Sequence, residues 1–132
     1  MGGPTLTGGS QALILFGHGA RDARWAEPFE RLRQMLAAAR PELHVALAFL
    51  ELMSPSLPDA IAAAVSTGCR EITVVPMFLG QGGHVRRDLP NLIDACRAAH
   101  PELALRCVTP VGEDSGVLAA LAAYCLQQVP AG

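Results

Sequence analysis

The sequence predicts an α/β fold: three layers, α/β/α, around a four-stranded parallel sheet. Three observations carry this. Short apolar runs alternate four times with longer segments of helical period. The runs are apolar at successive positions, not at every second one, which marks strands buried on both faces, as parallel sheets require. The chain has 132 residues, 51% of them hydrophobic and 17% charged, enough for one folded domain with a substantial core.

Ala12–Phe16 is the first strand, a short aliphatic run. Trp25–Arg40 follows as a helix in which Phe29, Leu32, Met35 and Leu36 recur at spacings of three and four and form one apolar stripe. Pro28 is tolerable there because the first turn of a helix has no use for its missing N–H. His44–Phe49 is the second strand, and the Pro55/Pro58 loop leads into a helix over about Leu57–Thr67, closed by Gly68 as its C-cap. Glu71–Pro76, EITVVP, has the β-branched content of a third strand. A glycine-rich loop, Met77–His84, precedes a helix that runs to about His100. Ala104–Thr109 and Gly116–Gln128 complete the pattern as fourth strand and last helix, so that helices are expected on both faces of the sheet. Residues 1–11 read as a flexible Gly/Ser/Thr tail and residues 12–128 as a single domain.

Composition removes several functions. A net charge of -2 offers nothing to nucleic acid or to an anionic membrane surface. No run of about 18 apolar residues is present to span a bilayer. MGGPTLTGGSQ has neither the basic region nor the apolar segment of a signal peptide, so the expected compartment is the cytoplasm. Cys69, Cys96, Cys107 and Cys125 form no C-x-x-C pair and read as small buried thiols without a function.

In open parallel sheets ligands bind outside the carboxyl ends of the strands. His18 lies just past the first strand, Glu51 past the second and His84 past the third, so all three fall on that rim whatever the strand order. His44, at the start of a strand, and His100, at the end of a helix, do not. Gly17 and Gly19 leave the His18 ring open on both sides, and Gly80, Gly82 and Gly83 do the same before His84. Two imidazoles and a carboxylate suit divalent cobalt, iron or nickel. A histidine with a pKa of about 6.5 also accepts protons at neutral pH. The residues alone leave plainer roles open: a backbone-satisfied His18, an idle loop His84, a solvated Glu51. Arg21, Arg24, Arg86 and Arg87 cluster beside the histidine loops, either as solvated helix-start residues or as guanidinium forks for carboxylates or phosphates. Arginine near a helix N-terminus opposes the helix dipole, which favours the ligand-binding role. Asp22 and Asp88 read as local caps. GQGGH fits neither the dinucleotide fingerprint nor the phosphate-binding loop.

HGARD after the first strand, AFLE after the second and PMFLGQGGHVRRDLP after the third resemble the short form of the CbiX-type sirohydrochlorin chelatases, over nearly the whole chain from Ala12 to Leu126. The resemblance implies a chelatase-like half-domain and a lyase that inserts cobalt, or iron in the sirohaem branch, into sirohydrochlorin. His18 and His84 match the family's two active-site histidines and Glu51 its acidic partner, as metal ligands and as proton acceptors, a role typically contributing ~10²–10⁴-fold. Rim arginines would hold the substrate's carboxylates. The family commonly reads His-Gly-Ser-Arg, whereas this chain has Ala20 in the third position and so lacks that hydroxyl. Long relatives carry two such halves around one cleft, and the short form is expected to pair as a homodimer with the His18 and His84 loops facing the partner. No cofactor is expected beyond the substrate metal. Two other classes compete. A histidine-phosphatase-like enzyme wants an arginine directly before its histidine, where this chain has Gly17. A non-catalytic carrier of cobalt or tetrapyrrole would use the same ligands without turnover.

Overall fold

The computed structural model describes residues 10–131, with His84 described by its backbone alone. β1 (Gln11–Gly17), β2 (His44–Phe49), β3 (Glu71–Pro76) and β4 (Ala104–Cys107) form one parallel sheet in the order β2-β1-β3-β4. Four helices follow the strands in turn: α1 (Glu27–Ala39), α2 (Leu57–Ser66), α3 (Gly83–Ala99) and α4 (Ser115–Gln127). β1 is central, with Ile14 level with Ala46 of β2 and with Val74 of β3.

Alternation along the strands divides the sheet into two unlike faces. One carries Ala12, Ile14, Phe16, Ala48, Ile72, Val74 and Leu105, and α2 and α3 close over it with Leu57, Ile61, Val85, Leu89 and Ile93. Ile14, Phe16, Ile61, Ile72 and Val74 are fully enclosed there, each contributing about 1.5–3 kcal/mol by leaving water. The other face carries Leu15 and Phe49, which are buried, and Leu13, Val45, Leu47, Thr73 and Val75, which are only half-buried. α1 lies mainly against β2, and none of its residues is fully buried. The helix enters through Trp25, whose ring stands 4.8 Å from that of Phe29 and 6.1 Å from that of Phe49.

Local chemistry sets the helix starts. Ser56 accepts a hydrogen bond from the Asp59 N–H at 3.2 Å, and Asp114 accepts one from the Val117 N–H at 3.0 Å. Where the structure departs from the sequence reading, the reasons are equally local. Trp25 belongs to a 3-10 turn, Ala23–Ala26, capped by Asp22, and the α-helix begins only at Glu27, with Pro28 in its first turn. Gln11 is already in β1 and Ser10 accepts a hydrogen bond from the Arg70 N–H, so those two residues are not tail; residues 1–9 lie outside the described residues. Gly68 stands one position beyond the C-cap Thr67, at φ +99°, a conformation that suits glycine. β4 ends at Cys107, two residues early, although the Val108 N–H still donates to the Val74 carbonyl.

The larger departure is α4. None of its residues is buried, and it packs chiefly against the 3-10 turn Val111–Glu113, not over the sheet. Cys69 and Cys96 are buried as expected, but Cys125 on α4 is exposed. Among the described residues no helix is long and apolar enough to cross a membrane.

Ile61, fully buried between α2 and the sheet, is the test of this core. Ile61→Ala is expected to cost about 2–5 kcal/mol of stability, read as a lower urea midpoint at unchanged slope. A cost under about 1 kcal/mol would mean that the α2 face does not hold the fold together.

Candidate active site

From β1 the chain steps to one side for β2 and then crosses back to the other side for β3. Strand order therefore reverses at β1 and β3, and the crevice outside their carboxyl ends is where such sheets bind ligands. His18 follows the last residue of β1, Glu51 lies two residues past β2, and the loop from β3 leads to His84. The rim expected from the sequence is thus the rim at the reversal. His44 starts β2 at the opposite end of the sheet, and His100 caps α3.

His18 and Glu51 are brought together by the backbone. The pairing of β1 with β2 continues past both strands: the Leu50 N–H donates to the Gly17 carbonyl at 2.9 Å and the Glu51 N–H to the His18 carbonyl at 3.1 Å. Gly19 makes room for this. Its φ is +102°, and a Cβ there would stand 1.8 Å from the Glu51 carbonyl oxygen. Only glycine satisfies both conditions. The result places His18 Nε2 3.7 Å from Glu51 Oε2, with the two side chains 50% and 58% exposed. That separation is too long for a hydrogen bond between them.

The imidazole is oriented from below by an aromatic column. Phe78 meets the His18 ring edge-on at 6.0 Å and the Phe16 ring edge-on at 5.9 Å. Phe78 itself is buried in the main core. His84 lies in the first turn of α3, after Gly82 as an extended N-cap, and not in the loop before the helix. The glycine run made the segment read as loop, but glycine is also an acceptable N-cap. Among the described residues no three His, Cys, Asp or Glu side chains converge as a metal site.

The four arginines differ. Arg24 grips Asp22 with both Nε, at 3.1 and 3.2 Å, and a terminal nitrogen at 2.7 Å. The guanidinium holds the Asp22 carboxyl below its usual range. Asp22 also caps the 3-10 turn by accepting the Arg24 N–H at 2.9 Å. Arg21, Arg86 and Arg87 are exposed. Arg86 borders an open groove of about 320 Å³ together with Gln81 and Pro110.

Sequence reasoning missed three rim features. Leu52, directly after Glu51, has φ 66° and is 58% exposed, a strained backbone for a leucine. Leu79, directly after Phe78, is 68% exposed. Gly112 is pressed against that segment: its N–H donates to the Phe78 carbonyl at 3.0 Å, and a Cβ would stand 1.9 Å from the Leu79 carbonyl oxygen. Phe78 and Leu79 sit inside the quoted FLGQGGH stretch, but nothing in the sequence tells a buried aromatic from an exposed leucine there.

The profile of the CbiX family matches residues 12–127, close to the whole described chain. The chain belongs to the CbiX family. Among its relatives, the sirohydrochlorin cobaltochelatase of Methanocaldococcus jannaschii is 32% identical over 90 residues, 68% of this chain and 63% of that protein. The sirohydrochlorin ferrochelatase of Bacillus subtilis is 27% identical over 114 residues, 84% of this chain and 42% of that protein. The chain spans about three fifths of the length of the curated cobaltochelatases it matches. In three dimensions it resembles the CbiX protein of Marinobacter aquaeolei, assigned to cobalamin (vitamin B12) biosynthesis, at a TM-score of 0.78 and 33% identity, covering 89% of this chain and 96% of that one. It also resembles SirB from Bacillus subtilis with Fe3+, at 0.75 and 26%, covering 92% of this CbiX chain and 48% of SirB.

Gly19→Ala is expected to destabilise this CbiX chain by at least about 1–2 kcal/mol, the cost of left-handed backbone in a residue with a Cβ. Thermal melts measure the effect. A variant with a wild-type melting temperature would mean that the Gly19–Glu51 contact does not set the rim.

Proposed function

We propose that this CbiX chain inserts a divalent metal, cobalt or iron, into sirohydrochlorin, working in the cytoplasm. The observation that carries the reading is the His18–Glu51 pair, held 3.7 Å apart on an open rim at the strand-order reversal. Metallation of a tetrapyrrole needs a site that holds an ion loosely, strips its water and accepts two protons from the ring nitrogens. A neutral imidazole and a carboxylate do all three. Each would bond a first-row ion at about 2.0–2.2 Å, so donors 3.7 Å apart can serve one ion with little movement. His18 and Glu51 hold the metal and take up protons, and His84 supplies the third donor. The metal is substrate, nickel being a further acceptable ion, and no other cofactor takes part. The names of the relatives, cobaltochelatase and ferrochelatase, support both the reaction and the metals.

Sirohydrochlorin carries many carboxylates. Arg21, Arg86 and Arg87 are exposed near the rim and reach for them as forks, while Arg24 contributes only by exchanging Asp22 for substrate. The apolar macrocycle lies against Leu52 and Leu79. One rim leaves the far side of the macrocycle in water, and small-molecule sites normally bury ~70–90% of their ligand. The working unit is therefore a homodimer with two such rims facing each other.

Insertion is followed by the absorbance change of sirohydrochlorin with Co2+, Fe2+ and Ni2+ supplied in turn. Turnover separates an enzyme from a carrier, which binds stoichiometrically and stops. His18→Ala and His84→Ala are each expected to lower insertion ~10²-fold or more at unchanged melting temperature. A well-folded variant with near-native turnover removes that histidine from the site. Replacing Arg21, Arg86 and Arg87 by Ala is expected to raise KM more than replacing them by Lys, because the bidentate fork is lost. An unchanged KM in the triple-alanine variant returns them to a solvated face.

A further inference from the structure

We infer that Gly112, distant in sequence from His18, Glu51 and His84, is a positioning residue: it fixes the Phe78 ring beneath the His18 imidazole. This role rests on the reading that His18 holds the metal, and adds what holds His18.

Phe78 is pinned from two sides. On one, the Met77 N–H donates to the Phe16 carbonyl at 2.8 Å, which carries the pairing of β3 with β1 past the end of β3. On the other, the Gly112 N–H donates to the carbonyl of Phe78 itself at 3.0 Å. That bond comes from the turn Val111–Glu113, which the Glu113 N–H closes on the Pro110 carbonyl at 2.9 Å. The Phe78 segment is thus tied to β1 and to the chain after β4 at consecutive residues, and these ties set the height of its buried ring.

Only a residue without a side chain allows the second tie. A Cβ on Gly112 would stand 1.9 Å from the Leu79 carbonyl oxygen and 2.4 Å from both the Leu79 carbonyl carbon and its Cα. These are backbone atoms, which cannot swing aside as the tip of a side chain does. Restoring van der Waals distance would part the two segments by about 1 Å or more. A Cβ on Gly80 or Gly82, inside the loop, meets nothing within 4 Å. The glycine that the packing of the loop requires therefore lies outside the loop.

The displacement would reach the imidazole. The Phe78 ring meets the His18 ring edge-on at 6.0 Å. The His18 side chain is half exposed, and Glu51, 3.7 Å away, does not hold it by a hydrogen bond. Its tilt follows the edge of Phe78, and a group misplaced by about 1 Å can lower a rate ~10²-fold.

Four variants of the full chain test the clamp: Gly112→Ala, Phe78→Leu, the two combined, and Gly68→Ala. The last strains the backbone at φ +99° before β3, at the other end of the sheet. Circular dichroism melts establish that each variant is folded. The readouts are the His18 imidazole proton shifts by NMR, which need no turnover, and kcat and KM for cobalt insertion into sirohydrochlorin. Gly112→Ala is expected to move the His18 protons and to lower kcat at least about tenfold. Gly68→Ala is expected to lower the melting temperature and leave both readouts at wild-type values. Phe78→Leu is expected to lower kcat to a similar degree. Adding Gly112→Ala to it is expected to lower kcat less than about twofold further, because the transmitting ring is already gone. A folded Gly112→Ala with unmoved His18 protons overturns the proposal, as does a fully additive double variant. Should Gly112→Ala fail to fold, Phe78→Leu decides: wild-type kcat overturns the proposal and a tenfold loss upholds it. If the wild type turns nothing over, the chelatase reading falls and the NMR shifts alone decide the clamp.

Discussion

The rim of this molecule depends on the parallel pairing of β1 with β2 running past the ends of both strands. The hydrogen bonds from Leu50 to Gly17 and from Glu51 to His18 extend the sheet into what would otherwise be two independent loops. They convert residues far apart in sequence into neighbours at a separation set by backbone geometry, not by side-chain attraction. Gly19 is the condition for that extension, since any larger residue would displace the Glu51 carbonyl. The histidine and the glutamate remain half in water, where an ion can reach them, while their backbones are held as firmly as the sheet.

The aromatic column beneath this pair links it to the most enclosed part of the fold. Phe16 and Phe78 belong to the core closed by α2 and α3, and the His18 ring rests on the upper edge of Phe78. The two sheet faces therefore do different work. The α2/α3 face supplies stability and orients the imidazole. The α1 face is left half-covered, with an open groove of about 420 Å³ over the amino ends of the strands. Burial pushes the Cys96 and Cys107 thiols above their usual pKa, so they remain protonated at neutral pH.

Much of this was legible in the sequence because the signals were periodic. β2 and β3 fall where their aliphatic runs lie, and the rim containing His18, Glu51 and His84 followed from strand ends alone. Legibility failed where a residue type has two uses. Glycines before His84 read as loop, yet Gly82 is a helix N-cap. Trp25 continues a helical pattern, but the Asp22 cap tightens its turn into a 3-10 geometry. Leu52 gave no sign of its left-handed backbone. The apolar composition of α4 predicts a helix lying on the sheet, whereas it packs chiefly against the 3-10 turn Val111–Glu113. The fork of Arg24 was legible as a cation but not as one already occupied by Asp22.

The pairing of His18 with Glu51 as metal donors is tested most directly by X-ray absorption at the cobalt edge, on the chain loaded with one equivalent of Co2+. A shell of mixed nitrogen and oxygen donors with imidazole scattering is expected, losing imidazole in His18→Ala and gaining water oxygen in Glu51→Ala. A spectrum of water and carboxylate oxygens alone, unchanged by either substitution, would contradict the site.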